Sequence, residues 1–520
     1  SRKLKGLLLT KYDSVCEAAA ALGWAVIHPD EEEAGPSEPH PSVAPRGSAP
    51  PQPQFTSDWN ICWMDTSVSI ERVMALGRLQ KLNHFPGMLD LVRKAGTARN
   101  LNKMLKVVGK EYKFFPRTFM LPADYTELKK EFGGARRCNK TFIVKPSKGC
   151  QGTGIMLTRC LDDIDPHEPN IVQRYLHKPH LLDGRKYDLR LYVLQSSIKP
   201  LRLYLFREGL VRVCTSKYAC KPSNYNELTM HLTNYAINKE SDDFVQPSGV
   251  EDDEANKLTV TTLMARLAAE GADVDALWEA IGELVVKTMV SVQPHLEHTY
   301  YTARQRSDDV GYSCFELLGF DVLFDHKLRP YLLEVNHSPS FTCDSPLDSL
   351  VKASVLKGTM EMVSFGRDEL KILKRCGTRL DPPTRERLCQ LRNAYENARA
   401  EPSGFERIYP PSGPSAERAA ELLARYDSYL DLAAELYQSQ SLAGSRRTGG
   451  TQISGGGTHR RVAVPSWGPP PPAPVAAPAA APPPPTAALE AALTPDSSSR
   501  AVGRPLRPRR AKAQYYPHPM

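Results

Sequence analysis

The chain has 520 residues, of which 41% are hydrophobic, and a formal net charge of +8. That length predicts about two to four domains with ample apolar material for a core. No apolar run approaches the roughly 18 residues that suggest a membrane span, so a soluble protein with no membrane partner is expected. The positive charge does not imply nucleic acid. Ten basic residues from Arg446 to Lys512 face only Glu490 and Asp496 and account for all of it, leaving residues 1–440 close to neutral.

The start, Ser1–Thr10, reads as too short and too quickly polar for a signal peptide, and the missing initiator Met leaves room for a preceding segment. The 11 cysteines are scattered without CxxC pairs, which points to reduced thiols rather than a disulfide frame. In chain order, residues 4–10 and 24–28 read as strands flanking a helix over 14–22. Residues 29–54 are acidic, then Pro/Ser-rich and aperiodic, the signature of a flexible insertion. Structure resumes at Trp59-Asn60-Ile61-Cys62-Trp63, with helices predicted over 69–79 and 87–105. An extended stretch follows over 114–121, where Pro116 limits helix, and then a helix over 124–132. Strands are expected at 141–145, 154–158, 170–175, 188–195, 202–207 and 210–215, then a long helix over 274–292 and a hairpin. Beyond Ser349 the pattern turns helical and basic, with Arg367, Lys371, Lys374, Arg375, Arg379, Arg385, Arg387 and Arg392. From 441 the Pro/Ala run and Gly455-Gly456-Gly457 predict a disordered tail, either loosely attracted to acidic surfaces or filler. Strands and helices in mixed order predict an α+β nucleotide-binding architecture.

The hairpin carries the sharpest chemistry. Its strands, Phe320–Asp325 and Tyr331–Ser340, alternate so that Glu334 and Asn336 project together with Asp321 opposite. Two carboxylates and a carboxamide are hard oxygen ligands of the kind Mg²⁺ takes when phosphates complete its shell; a hairpin with polar residues facing water is the plain alternative. Thr141–Ile155 is a strand, a glycine-rich turn and a second strand, in which backbone N–H groups approach an anion and Lys145 reaches the same place. It is not a Walker loop. Ile171–Leu176 suits a hinge whose backbone pairs with an adenine edge, or an ordinary buried strand. Lys186, Asp188 and Arg190 share one face of a strand whose other face is Leu189, Leu191 and Val193, so the charged face is expected to line a cleft. Arg212, the run His231–Tyr235 and Lys257 are isolated polar signals of little weight singly.

Taken in order, these segments resemble the ATP-grasp fold and, in detail, the tubulin tyrosine ligase-like family in its polyglutamylase branch. The match is carried by Trp63-Met64-Asp65, Asn83-His84-Phe85-Pro86-Gly87, Phe115-Pro116-Arg117-Thr118, Lys145-Pro146, Gly149-Cys150-Gln151-Gly152, Lys186-Tyr187-Asp188-Leu189-Arg190, Met230–Tyr235, Phe315–Asp321 and Leu333–Ser340, and spans roughly residues 4–430 without the insertion. The resemblance implies an ATP-grasp-type ligase. Its N-terminal α/β domain would cover 1–115, its central domain 116–200 and its C-terminal domain with the metal site 201–350. A basic helical microtubule-binding region over 351–440 would precede the tail over 441–520.

It further implies that Lys145, Arg190 and Glu334 are catalytic, and that two Mg²⁺ ions sit on Asp321, Glu334 and Asn336. ATP would be held by Lys145, Gln151, Gly152, Gln173, Arg174, Tyr175, Leu176, Lys186, Tyr187, Asp188, Thr233 and Asn234. Free glutamate would be held by Arg212, Tyr235 and Lys257, and the acceptor by Gln151 and His337, a pattern of relatives that lengthen glutamate chains. The implied chemistry is an ATP-dependent carboxylate–amine ligation on acidic tubulin tails through an acyl phosphate, by a monomer in the cytoplasm and cytoskeleton, with cilium and basal body as further places. One departure stands out: many relatives read Asp-Ser-Lys where this chain has Asp344-Ser345-Pro346, so one glutamate-binding cation is absent. Glycine as donor, or a non-catalytic microtubule-binding protein, remain the alternatives.

Overall fold

The computed structural model describes residues 3–27, 58–147, 149, 152–249, 252, 254–306, 308–376, 379–413 and 415–448. The insertion over 29–54, Gln151 and the tail beyond 448 lie outside the described residues. A parallel sheet orders β1 (Lys5–Leu9), β2 (Ala25–Ile27), β3 (Ile61–Met64) and β4 (Lys81–Leu82) as β2-β1-β3-β4. An antiparallel sheet orders β5 (Thr118–Met120), β6 (Arg137–Pro146), β7 (Met156–Cys160) and β8 (Asn170–Arg174) as β5-β8-β6-β7. The third, also antiparallel, is built on β9 (Leu181–Leu182), β10 (Arg185–Ser197), β11 (Arg202–Lys217), β12 (Lys257–Thr259), β13 (Glu316–Phe324), β14 (Pro330–Asn336) and β15 (Phe405–Tyr409). Its main path is β12-β11-β10-β13-β14, with β15 on β11 and β9 on β10. Among the described residues no helix is long and apolar enough to cross a membrane.

Strand alternation divides the third sheet's two faces. Leu189, Leu191, Val193, Val211, Val213, Leu318, Phe320 and Val322 point into one apolar core shared with Leu263 and Leu267 of helix Val260–Ala269 and with Ile281, Val285 and Met289 of helix Val274–Val290. Burying each such side chain contributes about 1.5–3 kcal/mol. The opposite face is apolar only at one end, where Tyr192, Leu194, Tyr204 and Leu317 lie under Leu347, Val351, Val355 and Met360 of helix Pro346–Val363. At its other end the same face carries charge.

The predicted strands at 202–207 and 210–215 are one strand. Glu208-Gly209 falls between those two expectations, but the chain passes through it with a register shift against β10, and a Cβ at Gly209 would lie 2.5 Å from the Arg190 carbonyl oxygen. The Glu208 carboxylate instead receives the Val260 and Thr261 N–H groups at 2.8 and 3.1 Å, fixing the start of a helix that periodicity did not signal. The helix expected over 87–105 is two, Leu89–Val92 and Lys94–Val108, broken at Arg93. Helix Ala416–Thr448 runs across the boundary expected at 441, because Leu442, Ala443 and the following arginines favour helix.

The helical region after Ser349 is anchored by a buried ion cluster. Glu396, with no exposed surface, accepts from Arg392 at 2.8 Å, Arg202 at 2.7 Å, Tyr204 at 2.8 Å and Ser196 at 2.9 Å. Arg392 also pairs with Glu369 at 3.3 Å and donates to the Ser364 carbonyl at 2.6 Å. Arg392 is therefore not part of a surface grip, and Arg385 is half-buried against the Asp309 carbonyl, which corrects two of the basic residues expected to face a partner. Arg367, Lys371, Lys374, Arg375, Arg379 and Arg387 are exposed. Glu396→Gln removes the carboxylate that two buried guanidiniums share and is expected to cost about 3–5 kcal/mol of stability, read as a lowered denaturant midpoint at unchanged slope.

Candidate active site

A cavity of about 320 Å³ opens between β6 and β8 on one side and β10, β11, β13 and β14 on the other. Its floor is the charged end of the third sheet. Cross-strand register places Lys257 beside Arg212, Arg212 beside Asp188, Arg190 beside Asp321, and Asp321 beside Glu334. Arg212 reaches Asp188 at 2.6 and 2.8 Å and Asp321 at 2.8 Å. Arg190 grips Asp321 with two hydrogen bonds of 2.5 and 3.0 Å. Burial alone would push the Asp321 carboxyl up, but the two guanidiniums hold it well below the usual carboxylate range. Both arginines are raised above their ordinary value, the carboxylates outweighing the effect of burial.

The facing wall is cationic. Burial pushes the Lys145 ammonium down to about 8, with Glu334 opposing that shift. Lys145 donates to the Gln173 carboxamide at 3.0 Å, and Gln173 donates to Thr118 at 2.9 Å. Lys186 donates to the His231 carbonyl at 2.6 Å and to the Tyr175 hydroxyl at 3.3 Å, and Tyr175 bonds His231 Nδ1 at 3.0 Å. Gly152 has φ +87°, and a Cβ there would lie 2.5 Å from Ile237 and 3.4 Å from Asn234, so the turn closes on Asn234 only with glycine. Lys94 ties down the same turn by donating to the Gly149 carbonyl at 2.7 Å. Arg174, Leu176 and Thr233 complete this part of the lining.

The oxygen donors fit a divalent cation. Glu334 is raised above its ordinary value, first by burial and then by the Asp321 charge, so ionising it beside Asp321 is unfavourable and a cation there would relieve that cost. Asn336 stands 3.4 Å from Glu334. Among the described residues no group of three or more His, Cys, Asp or Glu could hold a metal; two carboxylates and a carboxamide leave room in the shell for oxygens of a bound phosphate.

The structure brings together Lys145, Gly152, Gln173, Arg174, Tyr175, Leu176, Lys186, Asp188, Arg212, Thr233, Asn234, Asp321, Glu334 and Asn336. Other expected site residues lie elsewhere. Tyr187 alternates away from Lys186 into the apolar core and bonds His180 at 2.9 Å, so it does not reach the cavity. Arg190 stands behind Asp321 and outside the lining, which makes it a holder of that carboxylate rather than a group facing a ligand. Neither Tyr235 nor Lys257 is in the lining: Lys257 is one strand beyond Arg212 and Tyr235 opens the short helix after Asn234, with the Lys257 ammonium 4.3 Å from the Tyr235 ring and 2.6 Å from Asp348. His337 lines an adjoining cleft with Asp65, Asn83 and His84, bonds Ser67 at 2.9 Å and lies 5.7 Å ring to ring from His84. Gln151 lies outside the described residues. Sequence reasoning missed Arg93, Lys94 and His231 as cavity residues; only His231 had a signal, its place in the Met230–Tyr235 motif.

Two antiparallel sheets closing on a cavity with a glycine turn, a lysine wall and a carboxylate hairpin define the class, an ATP-grasp-like fold. Residues 71–371 match the Tubulin-tyrosine ligase family, and the chain belongs to that family. It is 42% identical over 411 residues to tubulin polyglutamylase ttll6 of Danio rerio, covering 75% of this chain and 50% of that one. It is 42% identical over 429 residues to tubulin polyglutamylase TTLL13 of Mus musculus, covering 79% and 49%. Against the probable beta-tubulin polyglutamylase of Tetrahymena thermophila the identity is 40% over 409 residues, covering 75% and 33%. The chain thus spans half or less of the length of these relatives.

Two substitutions separate Glu334 from the frame around Asp321. A carboxylate whose folded pKa is raised lowers stability as pH rises through the ordinary carboxylate range and its folded value. Glu334→Gln is therefore expected to raise ligand-free stability at pH 7 by about 0.5–1 kcal/mol and to remove the thermal shift produced by Mg²⁺ with ATP. Asp321→Asn leaves Arg190 and Arg212 short of a partner and is expected to cost about 3–5 kcal/mol, so melting temperatures of the two variants move in opposite directions.

Proposed function

We propose that this chain is an ATP-dependent glutamate ligase of the tubulin polyglutamylase type that lengthens existing side chains on acidic tubulin tails. The observation that carries the reading is the meeting of Lys145 and Lys186 with the Asp321, Glu334 and Asn336 oxygens in one cavity. Its relatives, tubulin polyglutamylases, supply the substrate class. The chemistry has two steps. The terminal phosphoryl group of ATP passes to an acceptor carboxylate, giving an acyl phosphate and ADP. The neutral amino group of free glutamate then attacks that carbonyl, phosphate leaves, and the nitrogen loses a proton as the amide forms.

Asp321, Glu334 and Asn336 would hold Mg²⁺, which when bound would supply charge stabilisation at the phosphoryl oxygens. Lys145, Lys186 and the N–H groups near Gly152 hold phosphates, while Tyr175 and Leu176 seat the base. Arg212 faces the donor and His337 the acceptor, its ring oriented by Ser67. The residues do positioning and electrostatic work, since a carboxylate is a poor electrophile until phosphorylated. The exposed Arg367, Lys374, Arg375, Arg379 and Arg387 are assigned to the acidic tubulin surface. Localisation to cytoplasm and cytoskeleton, with cilium and basal body, and action as a monomer belong to the same proposal. Glycine as donor is the second reading, favoured by Pro346 standing where many relatives carry a lysine.

Purified protein with microtubules, Mg²⁺, ATP and labelled glutamate is expected to incorporate label, and Glu334→Gln to abolish it. Absence of incorporation while an active relative works in parallel ends the proposal, and competition by unlabelled glycine separates the two donors. Reversing Arg375 and Arg387 to Glu is expected to weaken microtubule co-pelleting about tenfold at low salt while glutamate addition to a soluble tail peptide persists.

A further inference from the structure

We propose that Asp348 and Lys352 are positioning residues that set how much of the Lys257 charge reaches the amino-acid donor, and with it the preference between dicarboxylic and monocarboxylic donors. The inference rests on the donor assignment made above. Lys257 is the next step of the charged row after Arg212, and it is 5% exposed. Its ammonium is fixed by two neighbours, the Tyr235 ring and the Asp348 carboxylate. Asp348 has no exposed surface and accepts from the Ser345 hydroxyl at 2.9 Å.

A second cation shares that carboxylate. Lys352, one turn along helix Pro346–Val363, stands 3.0 Å from Asp348 Oδ1 and donates to the Thr342 carbonyl at 2.5 Å. Oδ1 accepts no aligned hydrogen bond, so Asp348 is divided between two ammonium groups and neutralises neither fully. Pro346 begins the helix behind the Ser345 cap, a position proline suits. The cation absent at 346 is thus offset from within the same helix, through Asp348 rather than by direct contact. One anion between two lysines leaves one positive charge in excess beside Arg212, which matches the additional carboxylate of a dicarboxylic donor.

The arrangement predicts opposite responses. Lys352→Met leaves Asp348 to Lys257 alone and is expected to raise KM for glutamate about fivefold, whereas Asp348→Asn frees both ammonium groups and is expected to lower it about threefold. KM for ATP is expected to stay within about twofold in each, and KM for glycine likewise. Lys352→Arg keeps the charge and is expected to restore the wild-type value. A role confined to holding the helix would move KM for glutamate upward in both variants, and that result overturns the inference while leaving the ligase reading intact. If Asp348→Asn does not fold, the comparison of Lys352→Met with Lys352→Arg decides: restoration by Arg supports the inference, and equal impairment overturns it. Wild-type protein that joins no amino acid to tubulin overturns both readings.

Discussion

The architecture depends on one row of paired charges, Asp188–Arg212–Asp321–Arg190, laid across three adjacent strands. An ionised carboxylate taken out of water costs several kcal/mol unless an opposite charge and hydrogen bonds replace its hydration. Asp188 and Asp321 are nearly inaccessible, so β10, β11 and β13 can lie side by side only because each carboxylate faces a guanidinium from the neighbouring strand. The bidentate geometry of arginine suits this better than lysine would. Strand order and electrostatics are one constraint here: with β10 between β11 and β13, Asp188 meets Arg212 and Arg190 meets Asp321.

The pairing also defines what is left over. Within the row charges are matched and held, whereas at its edges they are not. Glu334 adds a carboxylate beside an already ionised Asp321, and across the cavity Lys145 and Lys186 carry ammonium groups in surroundings that disfavour charge. The unmatched groups converge on the same space from opposite walls, negative on one side and positive on the other. A polyanion with a divalent cation answers both at once. That complementarity, rather than the shape of the cavity, distinguishes the site from a structural ion network such as the one around Glu396, where perturbed groups occur with no space between them.

Much of this was legible from residues alone. The Asp321–Glu334–Asn336 hairpin follows from period-two alternation, and the single charged face of Lys186, Asp188 and Arg190 follows in the same way. The same rule excluded Tyr187, which motif membership had carried into the site; alternation was the stronger guide. Local pattern failed where a tertiary partner overrode it. The gap expected at Glu208-Gly209 closes only when Arg190 and the helix N-terminus at Val260 are placed against it. The isolated cations Arg212 and Lys257 gave no sign of their counterions, because Asp188 is 24 residues and Asp348 91 residues away along the chain. The break at Arg93, which turns Arg93 and Lys94 toward the cavity, has no local signature either.

Arginine in the C-terminal helices shows how burial assigns function to one residue type. Arg392 is locked between Glu396 and Glu369, while Arg387, five residues earlier on the same helix, points to solvent. The buried residue makes the exposed one useful. Glu396 joins this helix to Arg202 and Tyr204 of β11, the strand that also carries Arg212, so the exposed cations stand in a fixed relation to the cavity floor. A flexible tether would let a surface-bound partner wander relative to the reacting groups. A helix bonded through a buried carboxylate to the central sheet presents one geometry, and under the tubulin-surface assignment proposed above it would convert weak, salt-sensitive contacts at its surface into orientation at the cavity.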